Sequence, residues 1–358
     1  MRRSDQAGGG TQTRGRFQPT AIDLFSGSGG LTLGLKRAGF KVVAGVELDP
    51  LSAASYRNNH PEVYLWEEDI RRIGLEAVKT KLGMESGGLH LLAGCPPCQG
   101  FSTIRTRRKS IAVRDRRNAL VGEFIRFAAG LLPKAIMLEN VPGVASYRGF
   151  REVVLKLKAL GYSCDYEVFD AADYGVPQRR KRLVLVGSRK GPIPLAQATG
   201  TMRNVRGAIE ALPAPGESGD PLHDVVERRS AKVAAIIKLV PKDGGDRSKL
   251  PTGYQLACHR ACPGFRDVYG RMSWDEVSPT ITSGCTNPSK GRFIHPEQDR
   301  AITPREAALL QGFPPKYFFS MKRGKDGAAR LIGNAFPPEF ARRFAAEIYA
   351  VLRSEARL

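Results

Sequence analysis

Two cysteines separated by two prolines are the residues of this sequence with the most evident chemistry. The segment Gly94-Cys95-Pro96-Pro97-Cys98-Gln99-Gly100-Phe101-Ser102 follows an apolar run over 89–93, which is typical of a buried parallel strand. The prolines fix φ and remove two N–H donors, so the chain must leave the sheet at a rigid turn. Cys98 then lies beyond the carboxyl end of a strand, where open α/β sheets bind their ligands. This placement predicts that Cys98 is a nucleophile.

The charges after Cys98 support this prediction, because nearby cations favour the thiolate, the reactive form of cysteine. The basic residues are Arg105, Arg107, Arg108, Lys109, Arg114, Arg116 and Arg117. Two alternatives for the cysteine pair are a redox C-x-x-C and half of a zinc site. The two prolines disfavour the helix that follows a redox pair. Cys258, His259 and Cys262, the candidates for a second zinc half, match ligand spacing poorly, so no metal site is predicted.

The composition indicates a globular chain with a polyanionic partner. Of the 358 residues, 42% are hydrophobic and 25% are charged, and no apolar run reaches the ~20 residues that span a bilayer. Lys and Arg number 56 against 35 Asp and Glu, a net charge of +21. This excess favours nucleic acid over a membrane surface, although a coding bias toward Arg could contribute. Six cysteines form no disulfide framework in a chain this long, and the N-terminus lacks the apolar core of a signal peptide, so a reducing cytoplasm is expected.

A strand, a glycine-rich loop and a helix near the N-terminus predict a nucleotide site. A strand is predicted over 20–25, a loop over 26–30, and a second strand over 42–46 that ends in Glu47, an acid placed to accept from ribose hydroxyls. Thr32 replaces the third glycine of a dinucleotide motif, and Asp23 adds an acid in the first strand. An acid-lined adenosine site suits a positively charged ligand such as S-adenosylmethionine better than NAD. A plain tight turn would account for the glycines alone.

The order of elements predicts an α/β fold with a doubly wound, Rossmann-like sheet. Asp49 and Pro50 are the expected N-cap and first residue of one helix. Further strands are predicted over 89–93, 135–138, 162–169 and 182–186, and helices over 31–38, 118–131, 150–160, 301–310 and 340–352. The predicted divisions are a disordered basic arm over 1–18, a catalytic domain over 19–188 that 325–358 completes, and a smaller loop-rich domain over 189–324.

Three motifs, taken together with the glycine loop, carry a family resemblance. Pro97-Cys98-Gln99, Glu139-Asn140-Val141 and Gln178-Arg179-Arg180-Lys181-Arg182 occur in the order and spacing of the DNA (cytosine-5)-methyltransferases. The sequence resembles this family from about residue 20 to its C-terminus. Gly333-Asn334-Ala335-Phe336-Pro337-Pro338 resembles the last motif, with Phe336 where the family usually has valine. The resemblance implies S-adenosylmethionine as cofactor and a target-recognition role for 189–324.

The resemblance also implies roles for individual residues. The catalytic residues would be the nucleophile Cys98, the base-binding carboxylate Glu139, and Arg180 and Arg182, the latter directed at the cytosine carbonyl. The cofactor contacts would be Asp23, Phe25, Ser26, Gly27, Gly29, Gly30, Leu31, Glu47, Leu48, Asp69, Ile70, Pro96, Asn334 and Ala335, with Phe25 on the adenine and Glu47 on the ribose. The DNA contacts would be Gln99, Ser102, Arg105, Arg107, Arg108, Lys109 and Arg271.

The chemistry of cytosine explains why these residue types are needed. C5 is a poor nucleophile, and addition of a thiolate at C6 gives an enamine-like species with the missing electron density at C5. Glu139 at N3 and Arg182 at O2 would neutralise the negative charge as it develops. C5 and C6 are buried in a duplex, so the base must flip out of the helix. The basic loop 99–117 would then close over the DNA.

The expected function is therefore sequence-specific methylation of cytosine C5 in duplex DNA by a restriction–modification or orphan enzyme. The protein is expected to be a monomer in the cytoplasm of a prokaryote, associated with the nucleoid. A cognate restriction endonuclease or a mismatch-repair nuclease is the expected partner. Three alternatives stay open: the tRNA-methylating branch of the family, a dinucleotide-dependent oxidoreductase, and an inactive DNA-binding protein. The motif Gln99-Gly100-Phe101-Ser102 disfavours the first, the missing third glycine the second, and the intact catalytic residues the third.

Overall fold

The computed structural model describes residues 17–97, 120–146, 148–225, 227–255 and 267–357. Seven strands form its central sheet: β1 (Thr20–Leu24), β2 (Lys41–Val46), β3 (Tyr64–Trp66), β4 (Leu91–Gly94), β5 (Ala135–Asn140), β6 (Ser163–Asp170) and β7 (Lys181–Ser188). Their order is β3-β2-β1-β4-β5-β7-β6. The first five strands are parallel, and β7 is antiparallel to both of its neighbours. The predicted α/β fold with a doubly wound sheet is confirmed.

Helices cover both faces of this sheet. The helices of the described ranges are α1 (Gly30–Arg37), α2 (Pro50–Asn59), α3 (Leu75–Leu82), α4 (Leu120–Leu131), α5 (Arg148–Ala159), α6 (Arg206–Ile209), α7 (Ala231–Leu239), α8 (Pro304–Leu310), α9 (Gly324–Asn334) and α10 (Pro338–Glu355). On one face Leu35 of α1 and Phe344 of α10 share a buried cluster with Val184. On the other face, Phe124 of α4 and Leu157 of α5 share a second buried cluster with Leu185. None of the helices in the described ranges is long and apolar enough to cross a membrane.

Local sequence signals explain where several helices begin. The Asp49 side chain accepts a hydrogen bond from the Ser52 N–H, and α2 starts at Pro50, as predicted. The helix predicted over 301–310 starts three residues later because Thr303 and Glu306 form a capping box. The sequence analysis missed β3, α3, α6, α7 and α9. β3 has only three residues, too few for an alternating pattern to be recognised.

The described chain between β7 and α8 has little regular structure. It contains Arg271, which the sequence analysis predicted to contact DNA. The predicted DNA contact of Arg271 is wrong, because its side chain is 0% exposed. Its guanidinium pairs with Asp299 at 2.9 Å and donates to several backbone carbonyls. It therefore connects the C-terminal end of α7 to a loop near α8 and is not available to DNA. The carbonyl acceptors are those of Ile237, Val240, His295 and Gln298.

A third buried cluster extends across the predicted domain boundary at residue 324. Phe313 and Phe319 pack with Ala328 and Ile332 of α9, and Leu51 of α2 joins the same cluster. The segment between β7 and α8 is thus attached to the sheet region through α8 and α9. The domain limits stay a prediction.

Candidate active site

The carboxyl ends of the parallel strands open into a cavity of about 880 Å³. Loops after each of the five parallel strands contribute to its walls, together with the end of α9. Ligands of doubly wound sheets bind at this edge. Twelve of the predicted cofactor contacts line the cavity: Phe25, Ser26, Gly27, Gly30, Leu31, Glu47, Leu48, Asp69, Ile70, Pro96, Asn334 and Ala335.

The loop after β1 turns its backbone toward this cavity. Phe25 has a φ of 59° and Gly27 a φ of 56°, and a left-handed conformation is uncommon for a residue with a side chain. Glu47 fixes the loop by accepting from the N–H groups of Gly27, at 2.8 Å, and Asp49, at 2.7 Å. Burial raises the pKa of Glu47. A Cβ added to Gly27 would meet no atom within 4 Å, so a ligand has space in front of this residue.

The last sequence motif reaches the cavity because Gly30 has no side chain. A Cβ at this position would lie 2.2 Å from the carbonyl oxygen of Phe336. Only glycine therefore lets α1 begin against the segment that follows α9. This contact brings Asn334 and Ala335 to the cavity wall, more than three hundred residues after the loop that they face.

Two predicted cofactor contacts, Asp23 and Gly29, are not among the residues that line the cavity, and their contact with the cofactor stays a prediction. Asp23 is 0% exposed, and its Oδ2 accepts from the Thr32 hydroxyl at 2.7 Å. Burial raises the pKa of Asp23 to about 7. Thr32, which departs from the dinucleotide motif, is thus the partner of a buried acid. Gly29 faces away from the cavity, where a Cβ would lie 2.5 Å from the His60 ring and 2.7 Å from the Tyr317 hydroxyl.

A carboxylate and a guanidinium lie side by side on the wall near β4 and β5. Glu139, near the end of β5, pairs with Arg182, near the start of β7, with 2.9 Å between Oε1 and Nε. Both side chains are largely buried, at 12% and 15% exposed, yet both line the cavity. The antiparallel pairing of β5 and β7 places these two ends together. The pair can offer hydrogen bonds to the edge of a planar ligand.

Asn140 is a site residue to which the sequence analysis gave no role of its own. Its Nδ2 donates to the carbonyl oxygen of Pro96 at 3.2 Å, and its Oδ1 accepts from the Val141 N–H at 2.8 Å. This amide connects the end of β5 to the turn after β4. A buried polar side chain at the end of an apolar strand was the available signal, since such groups require partners.

Of the two cysteines of the C-x-x-C, Cys95 lies within the described residues and Cys98 does not. Cys95 lines the cavity, and burial, reinforced by the nearby Glu139 carboxylate, raises the pKa of its thiol well above the usual range. Cys95 is therefore held as a neutral thiol. Cys98 lies outside the described residues. So do the predicted DNA contacts Gln99, Ser102, Arg105, Arg107, Arg108 and Lys109, and the zinc candidates Cys258, His259 and Cys262.

The cavity lining also includes an acid and an exposed apolar side chain. Asp69 accepts from Arg71 Nε at 2.9 Å and from the Arg71 N–H at 3.0 Å. Hydrogen bonds from Arg71 lower the pKa of Asp69 to about 2, so this carboxylate is ionised at neutral pH. Leu48 is 60% exposed at the cavity wall. A ligand with an apolar ring and a polar edge would cover both side chains.

Arg180 lines the cavity but is tied to the backbone on its far side. It is 3% exposed, and its two terminal nitrogens donate to the carbonyl oxygens of Ile281 and Gly333, each at 3.0 Å. These bonds give Arg180 a connecting role that the sequence analysis did not predict. A direct catalytic contact of Arg180 stays a prediction.

Fold and site together define a Rossmann-like methyltransferase, and comparison with known proteins specifies the family. Residues 20–350 match the family described as C-5 cytosine-specific DNA methylase, and the chain belongs to this family. It is 36% identical to the Type II methylase M.HgiDII of Herpetosiphon aurantiacus, covering 91% of this chain and 94% of the relative. It is 34% identical to the Type II methyltransferase M.XorII of Xanthomonas oryzae, covering 94% and 86%. A prophage-encoded Escherichia coli structure described as a DNA modification methyltransferase is 26% identical, with a TM-score of 0.68 over 94% of this chain and all of that one. The resemblance deduced from the sequence is confirmed.

Proposed function

We propose that this protein transfers a methyl group from S-adenosylmethionine to C5 of cytosine at a specific sequence in duplex DNA. The observation that carries the proposal is the Glu139–Arg182 pair on the wall of the same cavity that the glycine loop and Glu47 line. One part of the wall thus suits a pyrimidine edge and another suits an adenosine. The relatives named Type II methyltransferases favour DNA over tRNA as the substrate.

The residues of the cavity fit S-adenosylmethionine. Space lies open in front of Gly27, and the hydroxyl of Ser28, a buried wall residue, has no hydrogen-bond partner among the described residues. Phe25 and Leu48 would contact the adenine, and Glu47 would accept from the ribose. When bound, this cofactor supplies an electrophilic methyl group. The protein residues hold it against the end of β4, beside which the pyrimidine must enter.

The chain's own residues activate the cytosine. The Cys98 thiolate adds to C6 of the flipped-out base, which breaks the C5–C6 double bond and raises the electron density at C5. Glu139 shares a proton with N3, and Arg182 donates to O2, so the charge is neutralised where it develops. After methylation, loss of the C5 proton restores the double bond and releases the Cys98 thiolate. Cys95 is unsuited to the nucleophile's role because burial raises the pKa of its thiol.

Bisulfite sequencing of DNA from cells that express the protein tests this function, the target and the site together. In cells expressing the wild-type protein, we expect the cytosine of one short sequence to resist bisulfite conversion. In cells expressing Cys98→Ala, we expect no such sequence. Duplex DNA with 5-fluorocytosine at that site should form a covalent adduct with the wild-type protein when S-adenosylmethionine is present. Methyl uptake by tRNA, with duplex DNA unmodified, would contradict the proposal and favour the tRNA branch.

The biological setting follows from the same proposal. We propose that the protein acts as a monomer on double-stranded DNA in the cytoplasm, within a restriction–modification system or as an orphan enzyme. The relatives' designation as Type II methylases supports a cognate endonuclease as partner over a mismatch-repair nuclease. Plasmid DNA from cells that express the protein should resist cleavage by one Type II endonuclease.

A further inference from the structure

Two buried glutamines meet beneath the cavity, and neither has a place in the proposed chemistry. Gln178 is the first residue of the motif over 178–182, which we name the arginine motif, and Gln311 follows α8. Both are 0% exposed, and Gln178 Nε2 donates to Gln311 Oε1 at 2.6 Å. Two fully buried amides are costly unless every polar atom finds a partner, so the remaining atoms of this glutamine pair show what it holds together.

The remaining atoms of the glutamine pair bind two different segments. Gln178 Oε1 accepts from the Ile281 N–H at 2.7 Å, and Gln311 Nε2 donates to the Ile332 carbonyl oxygen at 2.7 Å. Ile281 belongs to the predicted recognition domain, and Ile332 is in the last turn of α9. The pair therefore forms a continuous hydrogen-bonded path between 278–283, which we name the recognition segment, and α9.

Arg180 forms a second path between the same two segments. One terminal nitrogen donates to the Ile281 carbonyl and the other to the Gly333 carbonyl. The two segments also touch directly, because a Cβ on Gly333 would lie 2.3 Å from the carbonyl carbon of Thr282. Both backbone groups of Ile281 are thus held by side chains of the arginine motif. The recognition segment cannot shift without breaking buried hydrogen bonds.

Both paths end at the part of the cavity wall that is proposed to hold the cofactor. Asn334 and Ala335, directly after Gly333, line the cavity, and Arg182, two residues after Arg180, pairs with Glu139. A ligand that fixes 334–335 therefore also fixes the carbonyls of Ile332 and Gly333. Through the glutamine pair and Arg180, it restrains the recognition segment.

We infer that Gln178 and Gln311 are positioning residues that couple cofactor binding to DNA binding through the recognition segment. Coupling of this kind is reciprocal: the cofactor tightens DNA binding by the same factor by which DNA tightens cofactor binding. The inference rests on the proposed function. It assigns the glutamine pair no contact with either ligand.

The test compares Gln311→Met and Gln178→Met with Tyr162→Phe. Methionine keeps the length of the side chain and removes the amide. The control loses a buried hydrogen bond of similar length, from the Tyr162 hydroxyl to the Pro133 carbonyl at 2.6 Å, at the opposite end of β5 from the cavity. The measured quantity is the DNA dissociation constant with and without S-adenosylhomocysteine. The DNA is a duplex that carries the site mapped by bisulfite sequencing for the wild-type protein.

We expect S-adenosylhomocysteine to tighten DNA binding by about 5- to 150-fold in the wild-type protein and in Tyr162→Phe. In either methionine variant the factor should fall by about tenfold, or to one, because a buried partner is lost. The dissociation constant of S-adenosylhomocysteine alone should stay close to that of the wild type. The double variant should lose little more than each single variant, since both residues belong to one path. An unchanged factor in soluble, folded variants would overturn the inference.

A measurement on the wild-type protein applies even if the variants do not fold. S-adenosylhomocysteine without DNA should slow amide hydrogen exchange in the recognition segment and leave the edge strand β6 unchanged. Equal exchange in the recognition segment with and without the ligand would also overturn the inference. A wild-type protein that methylates no DNA would instead refute the proposed function, so the two failures are distinguishable.

Discussion

The sheet region and the segment between β7 and α8 bury their polar groups in different ways. In the sheet, backbone groups pair strand to strand, and the side chains around them are almost all apolar. Between β7 and α8, the buried Arg271 donates to four backbone carbonyls that no strand partner serves. Where ladders are absent, polar side chains supply the missing partners. A basic residue in a nucleic-acid enzyme is thus not by itself a nucleic-acid contact.

The largest effect that separates the two regions should come from Glu139→Gln. Glutamine keeps the size of the side chain but cannot share an acidic proton with N3, so the single-turnover rate should fall by about 10² to 10⁴-fold. Thermal stability should change little, because the glutamine oxygen can still accept a hydrogen bond from Arg182 Nε. Rapid-quench methylation of the mapped duplex measures the rate. Turnover near that of the wild type would remove Glu139 from the mechanism.

Arg271→Met should show the opposite pattern, with a large loss of stability. Four carbonyls and the Asp299 carboxylate would lose a buried cationic partner, at a cost of about 3–5 kcal/mol in the free energy of unfolding. Arg179→Met is the matched control, since Arg179 is 54% exposed and lies 3.7 Å from its acid. The control should lose less than about 1 kcal/mol. Urea denaturation followed by fluorescence compares them, and equal losses would contradict the structural role of Arg271.

The sheet region has its own buried titratable group, and Asp23→Asn tests it. The pKa of Asp23 rises from 3.8 to about 7 on burial, so between these values the folded protein keeps a proton that the unfolded chain loses. The free energy of unfolding should therefore fall as pH rises from about 4 to 7. The asparagine variant lacks this term and should exceed the wild type by up to about 4 kcal/mol at pH 8.

The control for this prediction is the same comparison of Asp23→Asn with the wild type at low pH. Near pH 4 the carboxyl is protonated in the folded protein, and the two proteins should then be close in stability. Urea denaturation at pH 4, 6 and 8 measures the difference. A pH-independent gap between Asp23→Asn and the wild type would show that Asp23 is ionised when buried.

The smallest effect concerns salt. Arg107→Ala should reduce the slope of log Kd against log salt concentration by about one, if this residue of the basic loop contacts a phosphate. Arg271→Met, measured under conditions in which it is folded, should leave the slope unchanged, because its guanidinium is occupied inside the protein. Titration of the mapped duplex at several salt concentrations gives both slopes. A reduced slope for Arg271→Met would restore it as a DNA contact.

The features of the two regions differ in how far the sequence could predict them. Apolar runs and caps such as Asp49-Pro50 depend on neighbouring residues alone, so most strands, and the start of α2, were predictable. The wall positions of Glu139 and Glu47 followed from motifs at strand ends. Arg271 was not predictable, since a buried arginine and an exposed one have the same sequence signal.

The glutamine pair was also beyond prediction, for a different reason. Gln178 and Gln311 are far apart in sequence, and only the tertiary fold brings their amides together. Thr32 could be recognised as a departure from a dinucleotide motif, but its hydrogen bond to Asp23 required the position of α1 against β1. Local patterns therefore fix elements, and long-range polar pairs become visible only in the structure.

The contact between the first helix and the last has a consequence for how the protein is made. Gly34 of α1 lies so close to α10 that a Cβ there would be 2.5 Å from that of Ala341, and Leu35 shares its cluster with Phe344. During synthesis, the apolar side of α1 stays uncovered until α10 has left the ribosome. We therefore expect the cavity, whose wall includes Asn334 and Ala335, to form only after this region has been synthesised.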